Sequence, residues 1–387
     1  MSAHGSPEQI RAKLSHPVID GDGHWIEYTP VFAERMRKVA GDKSADGFLA
    51  SQRRIPDSLR LSIAELEYVT RQLGAKVGMF GSGIRRPLAA AAGADPEVAR
   101  FAGGFDQLGI DSEHNYDPVW QKCQELGIAP TFHTGGRSFG LRNSPSNFTF
   151  NHIGHFAAAG HAVAKALFLG GVTRRFPDLR FGFLEGGVSW GCQLFADLIE
   201  HWERRGKKGL EYMDPTKLDR ALLRKLVEQY KYDEIAAELE RRDGWPAKEE
   251  DNLTGGVPVL DDYAACNITR KEDWIDLYAT PFYFGCEADD RLNAVAFSKI
   301  NPFGARINAI FSSDVGHFDV PDMRQVLPEA YELVEDELIT ADDFRDFTFA
   351  NAVRLWGTVN PRFFEGTVVA KAAASVLGTA PARAAAE

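Results

Sequence analysis

The stretch Val18-Ile19-Asp20-Gly21-Asp22-Gly23-His24 decides how the rest of the chain is read. Two branched apolar residues after Pro17 open what reads as a buried strand, Val18 to Ile26, emptying into carboxylate and imidazole groups. Residues two apart in a strand point the same way, so Asp20, Asp22 and His24 are expected on one face. A carboxylate beside an imidazole at a strand end suits a divalent ion such as Zn²⁺, Mn²⁺ or Fe²⁺. The same residues also suit a plain turn rich in Asp and Gly.

Two other apolar runs end in the same way. His133 closes IAPTFHT (128–134), and Asp314 follows INAIFSS (307–313). One histidine after a strand is usually a hydrogen-bonded structural residue; three strands ending on metal-capable side chains favour an ion. Further strands are expected at 75–80, 180–185 (RFGFLE) and 281–286 (PFYFGC). Helices are expected at 65–74, 116–127 (Pro in the first turn, Gly at the end), 156–168, 193–205 and 340–355, the last stopped by Gly357. Strands alternating with helices imply a parallel α/β fold. Polar groups at the strand C-termini favour a TIM-type (β/α) barrel, which keeps its chemistry on that face. No GxGxxG follows the first strand, and no repeat of solenoid period is present.

Composition narrows the function. Of 387 residues, 44 are Lys or Arg and 55 Asp or Glu, a net charge of −11 that argues against nucleic acid or an anionic membrane as partner. Cys123, Cys192, Cys266 and Cys286 are scattered and form no CxxC, as expected of reduced thiols. The start has no apolar leader, and no run is long enough to cross a bilayer. These features predict a soluble cytoplasmic protein; a small-molecule substrate and assembly as a homo-oligomer are further expectations. Residues 17–366 are expected to form the barrel. Within it, the charge-rich 206–273 is read as a helical insertion or lid, and the Ala-rich 367–387 as a flexible tail.

The motifs VIDGDGH (18–24), YDPVW with GIAPTFHTGG (116–136), GGVTRRFPDLRFGFLEGG (170–187), IFSSDVGH (310–317) and FANAVRLWG (349–357) resemble the amidohydrolase-related family. The likeness is to the branch containing the aminocarboxymuconate semialdehyde decarboxylase-like enzymes, and it spans most of 18–357. It implies a metal-dependent barrel enzyme, with Asp22 and His24 at the positions of the family's first-strand H-x-H and His133 at its metal-binding histidine. Asp314 stands at the aspartate that binds metal and handles the proton of water. Glu185 stands where many relatives carry a catalytic histidine. The family also places two β/α units between the first strand and AKVGMF. Here only 109 residues separate His24 from His133 and 30–74 holds no convincing strand, so strands two and three have no counterpart.

A carboxylate at 185 adds negative charge and a ligand able to bridge cations. With Asp22, His24, His133 and Asp314 it suits one or two ions per chain and hydrolysis of an ester, thioester or amide-like carbonyl. Glu185 could instead orient His133 from behind it. The competing readings are a non-oxidative carboxy-lyase acting on aromatic or unsaturated acids, and a non-catalytic binding protein with a degenerate barrel. His155, in NHIGHFAAAGH, is read either as a catalytic acid or as helix packing. Arg137 and Arg142 are candidates for binding a substrate carboxylate or phosphate, or are merely solvated. His317, three residues after Asp314, is placed near the site as a candidate for binding substrate, and Glu287 follows a strand as a further polar candidate. Phe139, Phe148 and Phe150 suit either an apolar substrate or the core.

Overall fold

The computed structural model describes residues 5–24, 29–51, 59–87, 103–133, 135, 144–206, 209–212, 219–230, 233–235, 237 and 261–378. Its internal contacts divide the chain into two compact units, Met1–Asp197 with Ala265–Glu387, and Leu198–Ala264. The second contains the end of the helix Ser189–Arg205 and the helix Arg220–Gln229, whose first turn is capped by Asp219 accepting from the Leu222 amide. Tyr263 donates to the Leu198 carbonyl at 2.8 Å and ties the ends of this unit together. The excursion thus starts inside a helix and ends at 264, not 206–273 as expected. Residues 265–273 belong to the larger unit, where Arg174 holds the Cys266 carbonyl and Asp273 accepts from the amides of Thr269 and Arg270.

The larger unit is built on five parallel strands in the order β1 (Gly78–Phe80), β4 (Pro130–Phe132), β5 (Phe181–Phe183), β6 (Phe282–Cys286) and β7 (Asn308–Phe311). Between β1 and β4 in sequence lies an antiparallel hairpin, β2 (Ile84–Pro87) and β3 (Gly103–Asp106), which the sequence did not suggest. Phe132, Phe183 and Phe284 sit in register, their rings stacked at 5.5 and 5.7 Å, and Trp190 packs edge-on against the last two. On the opposite face Leu355, from the helix Asn351–Val359, lies against Thr131 and Gly182, within a cluster that includes Tyr283, Ile310, Val353 and Trp356.

Three expectations need correction. The segment 18–24 is extended but does not form a regular strand: it runs beside β7 and its continuation through Gly21 N to Phe311 O, Ser313 N and Asp314 N to Asp22 O, and His24 N to Val315 O. The Asp20 carboxylate accepts from the Asp22 amide, from the Ser313 hydroxyl and from the Ser313 amide that it shares with the Asp22 carbonyl, and it is thereby engaged away from Asp22 and His24. Gly357 does not end its helix, and 367–387 is not wholly a tail. The helix Ala370–Leu377 crosses at Gly357, where a Cβ would meet Leu377 Cδ1 at 2.7 Å, and Ala373 is buried. Residues 379–387 lie outside the described ones.

A closed barrel is also not what the described residues form. Between 24 and 78 they hold three helices, Thr29–Ala40, Asp42–Ser51 and Leu59–Arg71, and no strand joins the 18–24 segment to β1. Curvature is nevertheless strong. From β4 to the 18–24 segment is four strand spacings, about 19 Å on a flat sheet, yet the His133 and Asp22 side chains at those two places approach to 3.2 Å. The C-terminal rim is drawn together as in a barrel while the ring stays open.

Phe183 is 1 % exposed and forms the middle of the phenylalanine stack. Phe183→Ala is expected to lower unfolding free energy by about 3–5 kcal/mol, read from denaturant melts.

Candidate metal centre

All five strands run parallel, so their C-terminal ends share one rim, the edge where α/β folds place their chemistry. His133 follows β4 and is held level with the end of β1 by donating its amide to Phe80 O. Glu185 is two residues past β5 and Asp314 three past β7. Both have left-handed backbones, φ 59° and 50°. Such a conformation is mild for Asp but strained for Glu, about 1–3 kcal/mol where it is sustained. Beyond Asp314, Gly316 at φ 102° passes so close to the His24 carbonyl that a Cβ would lie 2.3 Å from its oxygen. Only glycine permits this turn, and it keeps His24 against the end of β7.

The side chains converge. His133 Nε2 lies 3.2 Å from Asp22 Oδ2 and 3.1 Å from Glu185 Oε2, and His24 Nε2 lies 3.0 Å from Asp314 Oδ1 and 3.9 Å from Glu185 Oε2. Two overlapping groups have the spacing to hold an ion: Asp22, His24, His133 and Glu185, and His24, Glu185, Asp314 and His317. His24 and Glu185 are common to both. Asp22 Oδ2, His24 Nε2, His133 Nε2, Glu185 Oε2 and Asp314 Oδ1 are all buried and none meets a hydrogen-bond partner. Each such atom costs about 1–3 kcal/mol if left uncompensated. One or two divalent cations among them would satisfy these atoms, and the mixed imidazole and carboxylate set suits Zn²⁺, Mn²⁺ or Fe²⁺. The residues present fit the metal.

The local field is consistent with this. Burial alone would lower the His133 pKa, but the carboxylates of Asp22 and Glu185 outweigh it and push the imidazole up to about 10. Asp314 is raised, first by burial and then by repulsion from Glu185, against the opposing hydrogen bond donated by His317 Nδ1 at 2.8 Å.

The structure brings together Asp22, His24, His133, Glu185 and Asp314, the five residues read from the sequence as ligands. It adds His317, expected to bind substrate, to one ligand group; the ring stacks on His24 at 3.9 Å and hydrogen-bonds Asp314. Only the i, i+3 spacing hinted at that. His155 lies outside both groups. It is buried, 2 % exposed, beneath Gly135, where a Cβ would stand 1.9 Å from its Nδ1, and Phe156 contacts both its ring and that of His133. Arg137, Arg142 and Phe139 lie outside the described residues. Phe148 and Phe150 are half exposed rather than core, and Phe148 meets Phe318 edge-on at 5.9 Å.

A proton must leave His133 before its nitrogen can bind an ion. Uptake of Zn²⁺ or Mn²⁺ is therefore expected to release protons, with affinity rising by roughly tenfold per pH unit per proton below about pH 10. Calorimetry in buffers of different ionisation enthalpy reads the release. In chelator the sign reverses for stability. The raised pKa of His133 stabilises the fold fully below its ordinary value of 6.5, and that contribution is lost as pH climbs toward about 10. The corresponding decline in Tm should be absent in His133→Gln.

Comparison with known proteins agrees with the site. The amidohydrolase family model matches residues 25–235, more than half of the chain. No curated protein matches. Among solved structures, an amidohydrolase from Mycobacterium avium subsp. paratuberculosis K-10 is similar at 16% identity and a TM-score of 0.41, covering 76% of this chain and 55% of that one. The chain thus spans about half the length of that relative. A 2,6-dihydroxybenzoate decarboxylase, in complex with 2,6-dihydroxybenzoate, is similar at 12% identity and a TM-score of 0.40, covering 85% of this chain and 75% of that one. With His133 and Glu185 inside the matched stretch, the chain belongs to the amidohydrolase family.

Proposed function

We propose that the protein is a metal-dependent hydrolase of an ester, thioester or amide-like carbonyl, working from an open barrel that lacks strands two and three. The observation that carries the metal reading is the set of five buried, unpartnered donor atoms at the rim. Asp22, His24, His133, Glu185 and Asp314 would hold one or two divalent ions, Glu185 and His24 standing between the two ligand groups. When bound, the ion supplies Lewis acidity, easing ionisation of water at neutral pH and polarising the carbonyl.

The chain's own groups do the rest. Asp314 takes the proton of the attacking water, its raised pKa making it a better base than an ordinary aspartate. His317 holds one Asp314 oxygen by hydrogen bond and leaves the other turned to the cluster. Arg137 and Arg142 remain candidates for a substrate carboxylate or phosphate, and His155 for a proton donor.

Hydrolysis is favoured over decarboxylation by charge. Three carboxylates sit in the cluster, and Glu287, Asp289 and Asp319 add to the acidity around it. An anionic acid would have to approach against that field unless bound metal offset it, whereas a neutral ester or amide would not.

The test is a panel of alkyl and aryl esters, thioesters and anilides alongside aryl carboxylic acids assayed for CO₂ release, with Zn²⁺- or Mn²⁺-loaded protein. Carbonyl hydrolysis without CO₂ release is expected; the reverse result would assign a carboxy-lyase. Asp314→Asn should weaken metal binding and, even with the metal saturating, lose about 10²–10⁴-fold in kcat/KM. Tm should rise strongly with either ion, and no rise would point to a non-catalytic binding protein.

A further inference from the structure

Hydrolysis needs a proton for the leaving group as well as a base for water. His317 gives its Nδ1 hydrogen to Asp314 and its ring face to His24, and His155 is buried outside the ligand groups. Glu287 is placed differently. It follows β6 directly, and β6 is hydrogen-bonded on one side to β5, which leads to Glu185, and on the other to β7, which leads to Asp314. Pairing continues past the strands: Gly187 N donates to Gly285 O and Ser312 N to Cys286 O, both at 3.0 Å. Position 287 therefore stands on the rim between the two acidic ligands.

Its backbone is fixed, because its carbonyl accepts from Nδ2 of the fully buried Asn293 at 2.9 Å. Its side chain is reached by solvent. Among the described residues that carboxyl meets no hydrogen-bond donor and no cation. The charged groups facing it are all acidic. Desolvation at the rim comes first, followed by repulsion from Asp289, Asp314, Glu185 and Asp319, and together they push the carboxyl up to about 7. Metal at the cluster would offset Glu185 and Asp314, but the two largest contributions, desolvation and Asp289, lie outside the ligand set. Glu287 is thus a carboxylic acid held partly protonated near neutrality, open to water for recharging.

We propose that Glu287 is a catalytic residue that protonates the leaving group, an inference that rests on the hydrolytic reading above. The water oxygen bonds to the carbonyl carbon while its proton passes to Asp314. As the tetrahedral adduct collapses, the bond from carbon to the leaving oxygen, sulfur or nitrogen breaks and its electron pair stays on that atom. The Glu287 O–H bond breaks and its proton goes to the same atom, giving a carboxylic acid and an alcohol, thiol or amine. Asp314 then returns its proton to solvent and Glu287 takes one up, so each turnover consumes one water.

The experiment compares wild type with Glu287→Gln, both loaded with Mn²⁺, on ethyl and p-nitrophenyl esters of one acid. An alkoxide leaving group needs the proton and a nitrophenolate scarcely does. Loss in kcat/KM is expected to be about 10²–10⁴-fold on the ethyl ester and at least tenfold smaller on the nitrophenyl ester. In wild type the ethyl-ester rate should fall above a pH near 7, a limb that Asp289→Asn moves to lower pH by removing repulsion that favours the protonated form. Equal losses on both esters, or none, would overturn the role of Glu287 alone; inactivity of wild type toward both would overturn the hydrolytic reading and this role with it. Independently of turnover, ¹³C-carboxyl resonances of glutamate-labelled protein, with and without Mn²⁺, locate the group by its absence in Glu287→Gln. Titration near 7 supports the proposal, and titration in the ordinary glutamate range overturns it.

Discussion

Charged groups withdrawn from water must be paired, hydrogen-bonded or bound to metal, and this constraint organises the larger unit. Five donor atoms at the rim are buried without a hydrogen-bond partner. At about 1–3 kcal/mol each, their summed cost rivals the whole stability of an ordinary domain, about 5–15 kcal/mol. Protonation of His133 offsets part of it by giving Asp22 and Glu185 a cation to face. A divalent ion would offset far more, because it satisfies carboxylates and imidazoles together. A bound metal would accordingly be as much a part of the fold as of the chemistry, and the left-handed backbones at Glu185 and Asp314 fall where the candidate ligands are aimed.

The same constraint explains why the centre tolerates an incomplete ring. Among the described residues, its five candidate ligands follow β4, β5 and β7 or lie on the segment beside β7. What the site requires is curvature sufficient to bring His133 to Asp22 across four strand spacings. That curvature is supported from both faces. The phenylalanine stack and Trp190 back one side, and Leu355, packed on Thr131 and Gly182, backs the other.

Legibility in the sequence followed the same physics. Apolar runs ending on polar groups gave strand ends and ligands together, because a parallel sheet puts all its C-termini on one rim. Asp20 was misplaced because alternation predicts direction only while the ladder is regular, and its carboxylate is engaged by the Ser313 and Asp22 amides. The hairpin was hidden because IRRP and GGFD are poor strand formers; Arg86 bonded to Asp106 and Tyr116 holds it. The helix 370–377 was read as a tail because alanine-rich sequence carries no signal of what it packs on, and Gly357, the partner that makes room for it, looked like a helix stop.

The rim is rich in carboxyl groups, and their surroundings divide labour among them. Asp314, Glu185 and Glu287 are all carboxylates on neighbouring strand ends, and their surroundings pull them apart. Glu185 lies against His133, Asp314 takes a hydrogen bond from His317, and Glu287 meets neither cation nor donor among the described residues. The first two thereby face partners at the cluster, whereas the third is pushed up to about 7 and keeps its own proton near neutrality. Environment, not residue type, sets which carboxyl is base and which is acid.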